Sequence, residues 1–512
     1  MGQPKDYNAV TDMVDRNVDL GFAEKPAFVD PSQTLTYGGL QTATNQMANV
    51  LRQMQIRPET RVGLLMFDTV HYPIAFWGAI RAGVIPVCLN TLLTTDQYQY
   101  ILSDSRIEVL FVSAPLLGVV APLLADLEHL RQVVLVGESD GKYQALQDLL
   151  EDASDSFDTV RTSADETAFW LYSSGSTGDP KGVRHVHSSM NYVAENYGKN
   201  ILDIRHDDIC FAAAKLFFAY GLGAGMAIPM SVGATTVLLP DRPTPTSVLG
   251  VLKQHNPTLF FGVPTLYAAM LADPACLPEN SSVHLRQCIS AGEALPAAIG
   301  TTWRDRMGVE ILDGIGSTEM LHVFLSNRPG EIRYGTSGRE IPGYKLRLVD
   351  ENGSEVGTDE LGELLVSGGS AADGYWNQRT KSRATFAGEW THTGDKYTRD
   401  KDGYYHYCGR TDDMFKVSGR WVSPFEVEQA LVSHPLVLEA AVIGHADDDK
   451  LIKPMAFVVL KPSASTDGLF EALKEHVKSS VGLWKYPHWI KFVDDLPKTA
   501  TGKIQRFKLR QL

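Results

Sequence analysis

The chain has 512 residues, which is too long for one ordinary hydrophobic core, so we expect two or more domains. An apolar content of 44% and a charged content of 21% are ordinary for a globular protein. The formal net charge of −14, from 61 acidic and 47 basic residues, argues against a broad basic surface for nucleic acid. The five cysteines are scattered outside any CxxC pair, which is typical of a reducing compartment and predicts a cytoplasmic protein.

The region up to about residue 410 alternates short apolar runs with helical patterns. We predict strands at 61–67, 84–89, 109–112 and 133–136, and a helix at 74–82. This alternation indicates right-handed βαβ units and parallel sheet, the α/β fold class. Residues 216–240 carry no charge and are long enough to span a bilayer, but their glycines and prolines favour buried core or a pocket lining.

The pattern changes after residue 343 to short strands followed by turns, at 344–349 and 362–366, which indicates a smaller and more antiparallel part. From Asp412 we predict a hairpin, a helix at about 424–433, two strands and a polar tail, together a small α+β domain. We therefore expect an N-terminal domain at 1–411 and a C-terminal domain at 412–512. A domain joined by one short polar segment can pivot.

The segment Tyr172–Val183, YSSGSTGDPKGV, is rich in Ser, Thr and Gly, and no hydrophobic period passes through it, so we predict a loop. Its unencumbered N–H groups, its hydroxyls and Lys181 suit the binding of a polyphosphate. A Walker A loop needs glycine where Pro180 stands, so the interpretation as a P-loop kinase or GTPase fails. A plain solvated turn is the alternative.

The segment Asp313–Glu319, DGIGSTE, is a second candidate. Its glycines allow close approach to a ligand, Thr318 can hydrogen-bond a phosphate oxygen, and Glu319 can hold Mg²⁺. The alternative is a turn that leads into a helix, capped by Ser317 or Thr318.

Two weaker candidates follow. Thr393–Asp395 and Gly409-Arg410 flank a stretch with the texture of a hairpin, and a carboxylate such as Asp395 is a common acceptor for ribose hydroxyls. Lys503, in PKTATGK, follows a glycine and can reach a distant charge, although a basic solvated tail is the usual interpretation of such a segment.

His185 and His187 lack further metal ligands nearby and are interpreted as loop histidines.

These segments in this order, YSSGSTGDPKGV, GSTE, TGD, GRTDD and PKTATGK, resemble the signature blocks of the acyl-adenylate-forming superfamily. That family comprises acyl-CoA synthetases, nonribosomal-peptide adenylation domains and luciferases, and the resemblance covers nearly the whole chain. KLFFAYG, SAGEALP and GSTEMLHVFLSN are similar to the benzoate–CoA and 4-hydroxybenzoate–CoA ligase branch. The implied fold is a large domain with two mixed or parallel βα sheets and a β-barrel-like part, followed by a mobile α+β domain.

The resemblance implies an AMP-forming aryl-CoA ligase that uses ATP, Mg²⁺ and coenzyme A. A carboxylic acid attacks the α-phosphate of ATP, and the CoA thiol then displaces AMP. The expected partner is an aromatic acid substrate, without nucleic acid or membrane, and the expected state is a monomer or homodimer. A ligase for cyclic or medium-chain aliphatic acids is one alternative. A catalytically silent adenylate-binding sensor is another, although Lys503, Glu319 and Asp395 are all present.

The resemblance also implies roles for individual residues. The catalytic group comprises Lys503, Thr318 at the α-phosphate, and Glu319 as the Mg²⁺ ligand. Asp412 is the implied hinge. The nucleotide and CoA ligands are Ser173, Ser174, Gly175, Ser176, Thr177, Gly178 and Lys181 at the phosphates, Asp313, Gly314 and Ile315 at adenine, Asp395 and Arg410 at ribose, and Lys416, Ser418 and Gly419 at pantetheine.

The implied acyl pocket combines small and aromatic residues into a flat slot. It is lined by Phe218 as a gate, Ala219, Tyr220, Ala291, Gly314, Gly316, His322 and Val323. Residues 217–221 contain no carboxylate, which argues against an amino-acid substrate. His322 either hydrogen-bonds a ring hydroxyl of the substrate or merely packs or binds water. Ile315 stands where many relatives have a tyrosine that stacks on adenine, so that stacking is absent here.

Overall fold

The computed structural model describes residues 6–139, 141–175, 178–418, 420–447, 450–461, 466, 468–498 and 504–511. The chain folds into two compact units. The first unit comprises residues 1–345 and 366–391, and the second unit comprises residues 346–365 and 392–512. The domain boundary at residue 412 and the mobility of the C-terminal domain stay predictions.

The α-helices are amphipathic or buried segments with recognisable ends. They are α1 Tyr37–Gln53, α2 His71–Arg81, α3 Thr95–Ser105, α4 Leu117–Val120, α5 Leu146–Glu151, α6 Ser188–Val193, α7 Ala219–Leu222, α8 Ile228–Met230, α9 Pro245–His255, α10 Pro264–Ala272, α11 Ala297–Met307, α12 Arg379–Thr385, α13 Pro424–Val432, α14 Leu469–Val481 and α15 Arg506–Leu509. Helix α9 shows the local logic: Thr244 caps its first turn, Pro245 occupies the first helical position, and Asn256 ends it in the left-handed region.

The strands are mostly short and apolar. They are β1 Pro26–Val29, β2 Thr34–Thr36, β3 Arg61–Leu65, β4 Ile85–Cys88, β5 Val109–Ser113, β6 Gln132–Val136, β7 Gln144–Ala145, β8 Thr167–Gly175, β9 Gly178–Val186, β10 Ile209–Ala212, β11 Thr235–Val237, β12 Leu259–Gly262, β13 Gln287–Ser290, β14 Ile311–Gly316, β15 Val323–Ser326, β16 Arg339–Glu340, β17 Lys345–Val349, β18 Gly362–Ser367, β19 Gly374–Tyr375, β20 Phe386–Ala387, β21 Trp390–Arg399, β22 Tyr405–Arg410, β23 Phe415–Val417, β24 Arg420–Val422, β25 Val437–Ala446, β26 Ile452–Leu460 and β27 Trp489–Phe492.

Two large sheets build the first unit. One has nine strands in the order β16-β15-β14-β13-β12-β10-β11-β1-β2, and the other has eight in the order β19-β9-β8-β4-β3-β5-β6-β7. Their central pairs are parallel, from β14 to β1 and from β8 to β7. Strands such as β12 and β13 are buried along their whole length, as expected for parallel sheet covered on both faces. The predicted α/β class and its early strands are confirmed.

The segment Tyr172–Val183 is a β-hairpin in this structure, so the prediction of a loop was wrong. Strands β8 and β9 pair antiparallel, with Tyr172 opposite Gly182 and Ser173 opposite Lys181. The hydrogen bonds between paired strands join only backbone groups. Ser and Gly residues can therefore form a strand that shows no alternation of apolar and polar side chains. Residues 176 and 177 lie outside the described part of the chain.

The second unit contains the shorter sheets. Strands β17, β18 and β21 lie in that order, with β22 beside β21, and β23 and β24 form the predicted hairpin. Strands β25, β26 and β27 form another sheet, on which α13 and α14 pack through a shared core. The predicted polar tail was wrong, because it contains α14, β27 and α15. Leu469, Leu473 and Val477 are buried at helical spacing along α14.

Residues 216–240 form buried helical turns and β11, which confirms their assignment to the core. Within the described part of the chain, no helix combines the length and the apolar character needed to cross a membrane. All five cysteines are free, and four of them are buried while Cys408 is half-buried. Burial raises the pKa of all five thiols, to about 12 for Cys88 and Cys288.

Candidate functional site

Three of the motif segments meet at one edge of the nine-stranded sheet. Strands β10, β12, β13 and β14 run parallel, so their carboxyl ends lie on the same side. Lys215–Gly221 follows β10, Ser290–Pro296 begins at the last residue of β13, and Asp313–Glu319 begins within β14. Ligands of open α/β sheets bind outside the carboxyl ends of the strands, so this edge is the candidate site.

Lys181, Glu319 and Tyr375 form a compact polar cluster in the first unit. The Tyr375 hydroxyl donates to Glu319 Oε1 at 2.9 Å, and Lys181 Nζ donates to Tyr375 Oη at 3.2 Å. Lys181 Nζ lies 3.8 Å from Glu319 Oε1 and 4.3 Å from the centre of the Tyr375 ring. Strand pairing creates the cluster, because β19 places Tyr375 opposite Val183 of β9. The cluster offers one cation for a phosphate and one carboxylate for Mg²⁺.

His185 holds the backbone that carries the catalytic candidates. Its Nε2 lies 2.8 Å from the carbonyl oxygen of Thr318, and because a carbonyl only accepts, Nε2–H is the donor. Its ring stacks on Phe169, with centroids 5.2 Å apart and an interplanar angle of 20°. Burial lowers the pKa of His185 to about 4, so the ring is neutral near pH 7.

The interpretation of His185 and His187 as loop histidines was wrong for His185, which lies on β9. Both side chains are buried. His187 Nδ1 accepts from the backbone N–H of Ala9 at 3.2 Å, and burial lowers its pKa to about 4. These contacts are those of structural histidines.

The phosphate-binding candidates lie on the hairpin of β8 and β9. Ser173 Oγ is buried and has no hydrogen-bond partner among the described residues, so it is a donor that a phosphate oxygen would satisfy. Gly175 and Gly178 pair across the ladder. The side chain of Ser174, and the whole of Ser176 and Thr177, lie outside the described part.

Asp313 presents a buried acceptor at the same edge. Its Oδ2 accepts from the N–H of Leu295 at 3.4 Å, while Oδ1 is buried without a hydrogen-bond partner among the described residues. Burial raises the pKa of Asp313 well above the ordinary value for aspartate. An unsatisfied acceptor of this kind fits an exocyclic amine, the group expected from adenine. Ile315 lies on β14, half-buried, and is not aromatic.

Two glycines of DGIGSTE are required by strand packing, and their expected approach to a ligand stays a prediction. A Cβ on Gly314 would lie 2.9 Å from the carbonyl oxygen of Leu325, and a Cβ on Gly316 would overlap the carbonyl of His322. Both glycines therefore allow β14 to pair closely with β15. The alternative of a turn into a helix was wrong, since Ser317–His322 leads instead into strand β15.

His322 packs against Tyr220, another acyl-pocket candidate. It is 1% exposed, its Nε2 donates to the carbonyl oxygen of Tyr220 at 3.2 Å, and its Nδ1 has no hydrogen-bond partner among the described residues. Burial lowers the pKa of His322 to about 3. The rings of Tyr220 and Tyr197 each lie 5.4 Å from it, centre to centre. A neutral imidazole with a free Nδ1 lone pair is a hydrogen-bond acceptor.

The other pocket candidates lie on or beside three elements, β15, α7 and β13. Val323 pairs with Gly316 across β14 and β15. Ala219 and Tyr220 open helix α7, and the ring of Phe218 lies 4.5 Å from that of Phe217. Ala291 follows the last residue of β13 and is buried. A Cβ on Gly223 would overlap the His322 ring, so only glycine fits there.

The ribose candidates form their own cluster in the second unit. Asp395 and Arg410 are register partners on β21 and β22, and Arg410 Nη1 lies 3.1 Å from Asp395 Oδ1. Burial disfavours the charged guanidinium, but Asp395 together with Tyr407 and Asp412 outweighs that cost, so the pKa of Arg410 is raised. Gly394 has a φ of 70°, and a Cβ there would lie 2.7 Å from Arg410 Nη2. The hairpin predicted between Asp395 and Arg410 is confirmed, because β21 and β22 pair antiparallel.

The remaining candidates also lie in the second unit. Lys416 is on the β23–β24 hairpin, 3.3 Å from Glu351 Oε1, and Ser418 occupies its turn with a φ of 49°. Asp412 lies in a turn, and its backbone carbonyl oxygen accepts a hydrogen bond from Arg510 Nη2 at 3.5 Å. Gly419 and Lys503 lie outside the described residues. The hinge and the catalytic lysine therefore stay predictions.

The carboxylate of Glu319 is suited to Mg²⁺ bound together with substrate phosphates. Among the described residues, no group of three or more His, Cys, Asp or Glu side chains could hold a metal ion. Mg²⁺ commonly binds through one or two carboxylates plus the phosphates of a substrate, and it keeps several water molecules. Glu319, half-buried beside Lys181, fits that arrangement.

Sequence reasoning missed two residues of the site, Tyr375 and His185. Tyr375 lies in GYWN, which carries no phosphate-binding or metal-binding pattern, and only strand pairing brings it to Glu319. His185 was noticed as a possible metal ligand, whereas its partner is a backbone carbonyl. A single sequence does not reveal a hydrogen bond between a side chain and the backbone of a residue far away in the chain.

Two family descriptions match the chain, "AMP-binding enzyme" over residues 16–376 and "AMP-binding enzyme C-terminal domain" over residues 426–503. The chain is 56% identical to a 4-hydroxybenzoate–CoA/benzoate–CoA ligase of Rhodopseudomonas palustris, over 99% of this chain and 94% of the relative. A benzoate CoA ligase structure from Burkholderia xenovorans is 48% identical with a TM-score of 0.91, covering 98% of this chain and 100% of the other. An anthranilate CoA ligase in complex with anthranoyl-AMP is 42% identical with a TM-score of 0.94, covering 99% and 98%. The chain therefore belongs to the AMP-binding enzyme family, in its benzoate–CoA ligase branch.

Proposed function

We propose that this chain is an ATP-dependent aryl-CoA ligase for benzoate or a hydroxybenzoate. The observation that carries the proposal is the 56% identity, over 99% of the chain, to a ligase named for 4-hydroxybenzoate and benzoate. The candidate pocket residues support it, because Phe217–Gly221 offers no carboxylate for a substrate ammonium and the half-buried Tyr220 ring packs against the buried His322 ring. The buried free thiols agree with the expected cytoplasmic location.

In the first half-reaction, a carboxylate oxygen of the acid bonds to the α-phosphorus of ATP. The bond from that phosphorus to the bridging oxygen of the leaving pyrophosphate breaks. We assign Lys181 and residues 173–178 to the leaving phosphates and Thr318 to the α-phosphate. Mg²⁺ held by Glu319 would neutralise phosphate charge. Lys503 is assigned to the carboxylate and α-phosphate oxygens, where a cation stabilises the developing charge.

In the second half-reaction, the sulfur of coenzyme A bonds to the acyl carbon and the bond from that carbon to the AMP oxygen breaks. The thiol proton is lost to solvent. We assign the turn Lys416–Gly419 to pantetheine, Asp395 and Arg410 to the ribose hydroxyls, and Asp412 to a pivot between the half-reactions. Positioning and charge neutralisation carry most of the catalysis in such steps.

A pyrophosphate-release assay tests the proposal. The purified chain is given ATP, Mg²⁺ and CoA with benzoate, 4-hydroxybenzoate, cyclohexane carboxylate or a medium-chain fatty acid, and thioesters are identified by mass spectrometry. We expect kcat/KM to favour an aromatic acid by about tenfold or more. Preference for an aliphatic acid would establish the alternative ligase, and nucleotide binding without AMP formation would establish a sensor.

A further inference from the structure

Asp68 and Lys215 are charged residues in the interior of the first unit. Their side chains are 4% and 14% exposed, and Lys215 Nζ lies 3.9 Å from Asp68 Oδ2. Asp68 follows β3 of the eight-stranded sheet, and Lys215 follows β10 of the nine-stranded sheet. The pair therefore connects the carboxyl ends of strands that belong to different sheets.

Lys215 also binds a third strand end. Its ammonium donates to the carbonyl oxygen of Leu239, to that of Pro240 at 3.3 Å and to that of Asp241 at 2.6 Å, all of which follow β11. An ammonium has three hydrogens, and these carbonyls engage them. Lys215 is thus bound on every side, which fits a positioning role and not a reacting amine.

Asp68 fixes the backbone that follows Lys215. Both of its carboxylate oxygens accept from the N–H of Leu216, at 3.3 Å each. The N–H of Phe218 then donates to the carbonyl oxygen of Lys215 at 2.9 Å, which closes a turn immediately before helix α7. A Cβ on Gly221 would overlap the Lys215 carbonyl, so α7 packs directly on this turn.

The Asp68–Lys215 ion pair pays a desolvation cost that an apolar pair at the same place would not. Desolvation makes a buried ion pair a poor stabiliser compared with apolar residues of similar volume. Burial raises the pKa of Asp68 to about 6 and lowers that of Lys215, so each charge is held against a desolvation cost. What the pair supplies is directional bonding: it holds the Lys215–Phe218 turn, which follows β10, to the ends of β3 and β11.

We propose that Asp68 and Lys215 are positioning residues for the acyl-pocket wall Phe218–Tyr220, and that they set KM and ring selectivity for the acid substrate. This inference rests on the proposed function. Both residues lie outside the set assigned to substrate, nucleotide or CoA. Neither one touches the reacting atoms in this proposal; each acts through the turn that carries the wall.

The variants Lys215→Met and Asp68→Asn test the proposal. Each removes one charge at similar volume, and Asp68→Asn keeps an acceptor for the N–H of Leu216, so it serves if Lys215→Met does not fold. We expect KM for benzoate to rise by about tenfold, KM for ATP to change by less than about twofold, and the ratio of kcat/KM between benzoate and cyclohexane carboxylate to fall. Combining both substitutions should restore part of the thermal stability, because no unpaired charge remains. KM for benzoate should stay raised, because no ammonium then bonds the carbonyls that follow β11.

The matched control is the Asp208–Arg286 pair. Arg286 Nη2 lies 2.6 Å from Asp208 Oδ2, and the two residues immediately precede β13 and β10, at the opposite edge of the nine-stranded sheet. Arg286→Met should lower thermal stability and leave acid selectivity unchanged. Equal effects of Lys215→Met and Arg286→Met on selectivity, or equal rises in KM for ATP and acid, would overturn the positioning role.

The proposed function and this inference fail in different ways. If the wild-type chain prefers an aliphatic acid, the proposed function fails, and the same KM comparison with that acid still tests the wall. If the wild-type chain uses aromatic acids and Lys215→Met keeps the wild-type KM and selectivity, only the positioning role is overturned.

Discussion

The Tyr375 hydroxyl donates to Glu319 Oε1 at 2.9 Å, so the carboxylate proposed for Mg²⁺ is oriented by a phenol. Lys181 Nζ, which donates to that same hydroxyl at 3.2 Å, is oriented with it. One tyrosine thus links the proposed metal ligand to the proposed phosphate ligand. Lys181 Nζ and Glu319 Oε1 are 3.8 Å apart, which is longer than a charge-assisted hydrogen bond.

Replacement of Tyr375 by Phe should weaken Mg·ATP binding. A hydrogen bond to a charged group is worth about 1.5–3 kcal/mol, so we expect the Mg²⁺ concentration for half-maximal pyrophosphate release to rise by about tenfold or more. Tyr37→Phe is the control, because the buried Tyr37 hydroxyl donates to the carbonyl oxygen of Ala234 at 2.7 Å. That variant should lose stability and keep the wild-type Mg²⁺ dependence. An unchanged Mg²⁺ dependence in Tyr375→Phe would contradict the orienting role.

His185 should make the fold sensitive to acid. Its folded pKa of about 4 lies below the ordinary 6.5, so its contribution to stability is present above pH 6.5 and is lost as the pH falls toward 4. At pH 5 the loss amounts to about 2 kcal/mol. His185→Gln can still donate to the Thr318 carbonyl and does not ionise, so urea unfolding at pH 7 and pH 5 should show a smaller loss than in the wild type. His129→Gln, at an exposed site, should behave as the wild type.

Two substitutions of His322 separate its ring nitrogens. Asn places an acceptor near the position of Nδ1, whereas Gln keeps a donor near that of Nε2, which binds the Tyr220 carbonyl. If Nδ1 accepts from a ring hydroxyl, His322→Gln lowers the kcat/KM ratio of 4-hydroxybenzoate to benzoate by about fivefold or more, and His322→Asn preserves it. Loss of that ratio in His322→Asn but not in His322→Gln would show that His322 serves the Tyr220 backbone instead.

Gly316 should not tolerate a side chain. Its Cβ would overlap the His322 carbonyl, which belongs to the backbone, so Gly316→Ala must shift the start of β15 away from β14. We expect a loss of about 2 kcal/mol or more in unfolding free energy, together with a raised KM for the acid. Gly250→Ala is the control, since that Cβ meets no atom within 4 Å inside helix α9 and should stabilise by about 0.5–1 kcal/mol. Similar melting curves for both variants would count against the close strand approach.

The central sheets were predictable because strands such as Val109–Ser113 are buried on both faces and read as apolar runs. The hairpin at Tyr172–Val183 was not, since its backbone ladder places Ser and Gly opposite each other without any side-chain period. Gly314 and Gly316 carried a signal for close approach, but one sequence does not show whether a ligand or a strand approaches. The partnership of Tyr375 with Glu319 depends on pairing between segments far apart in the chain.

The burial of the cysteine thiols has a consequence for a protein that makes an activated acyl group. An acyl adenylate is an electrophile, and any thiolate within the protein could capture it before coenzyme A does. Because burial raises the pKa of all five cysteines, very little thiolate forms near neutral pH. Peptide mass spectra after turnover without coenzyme A should therefore show no aryl adduct on the five cysteines. We therefore expect the buried sulfur atoms to escape acylation, so that the thiol of the second substrate is the one that receives the acyl group.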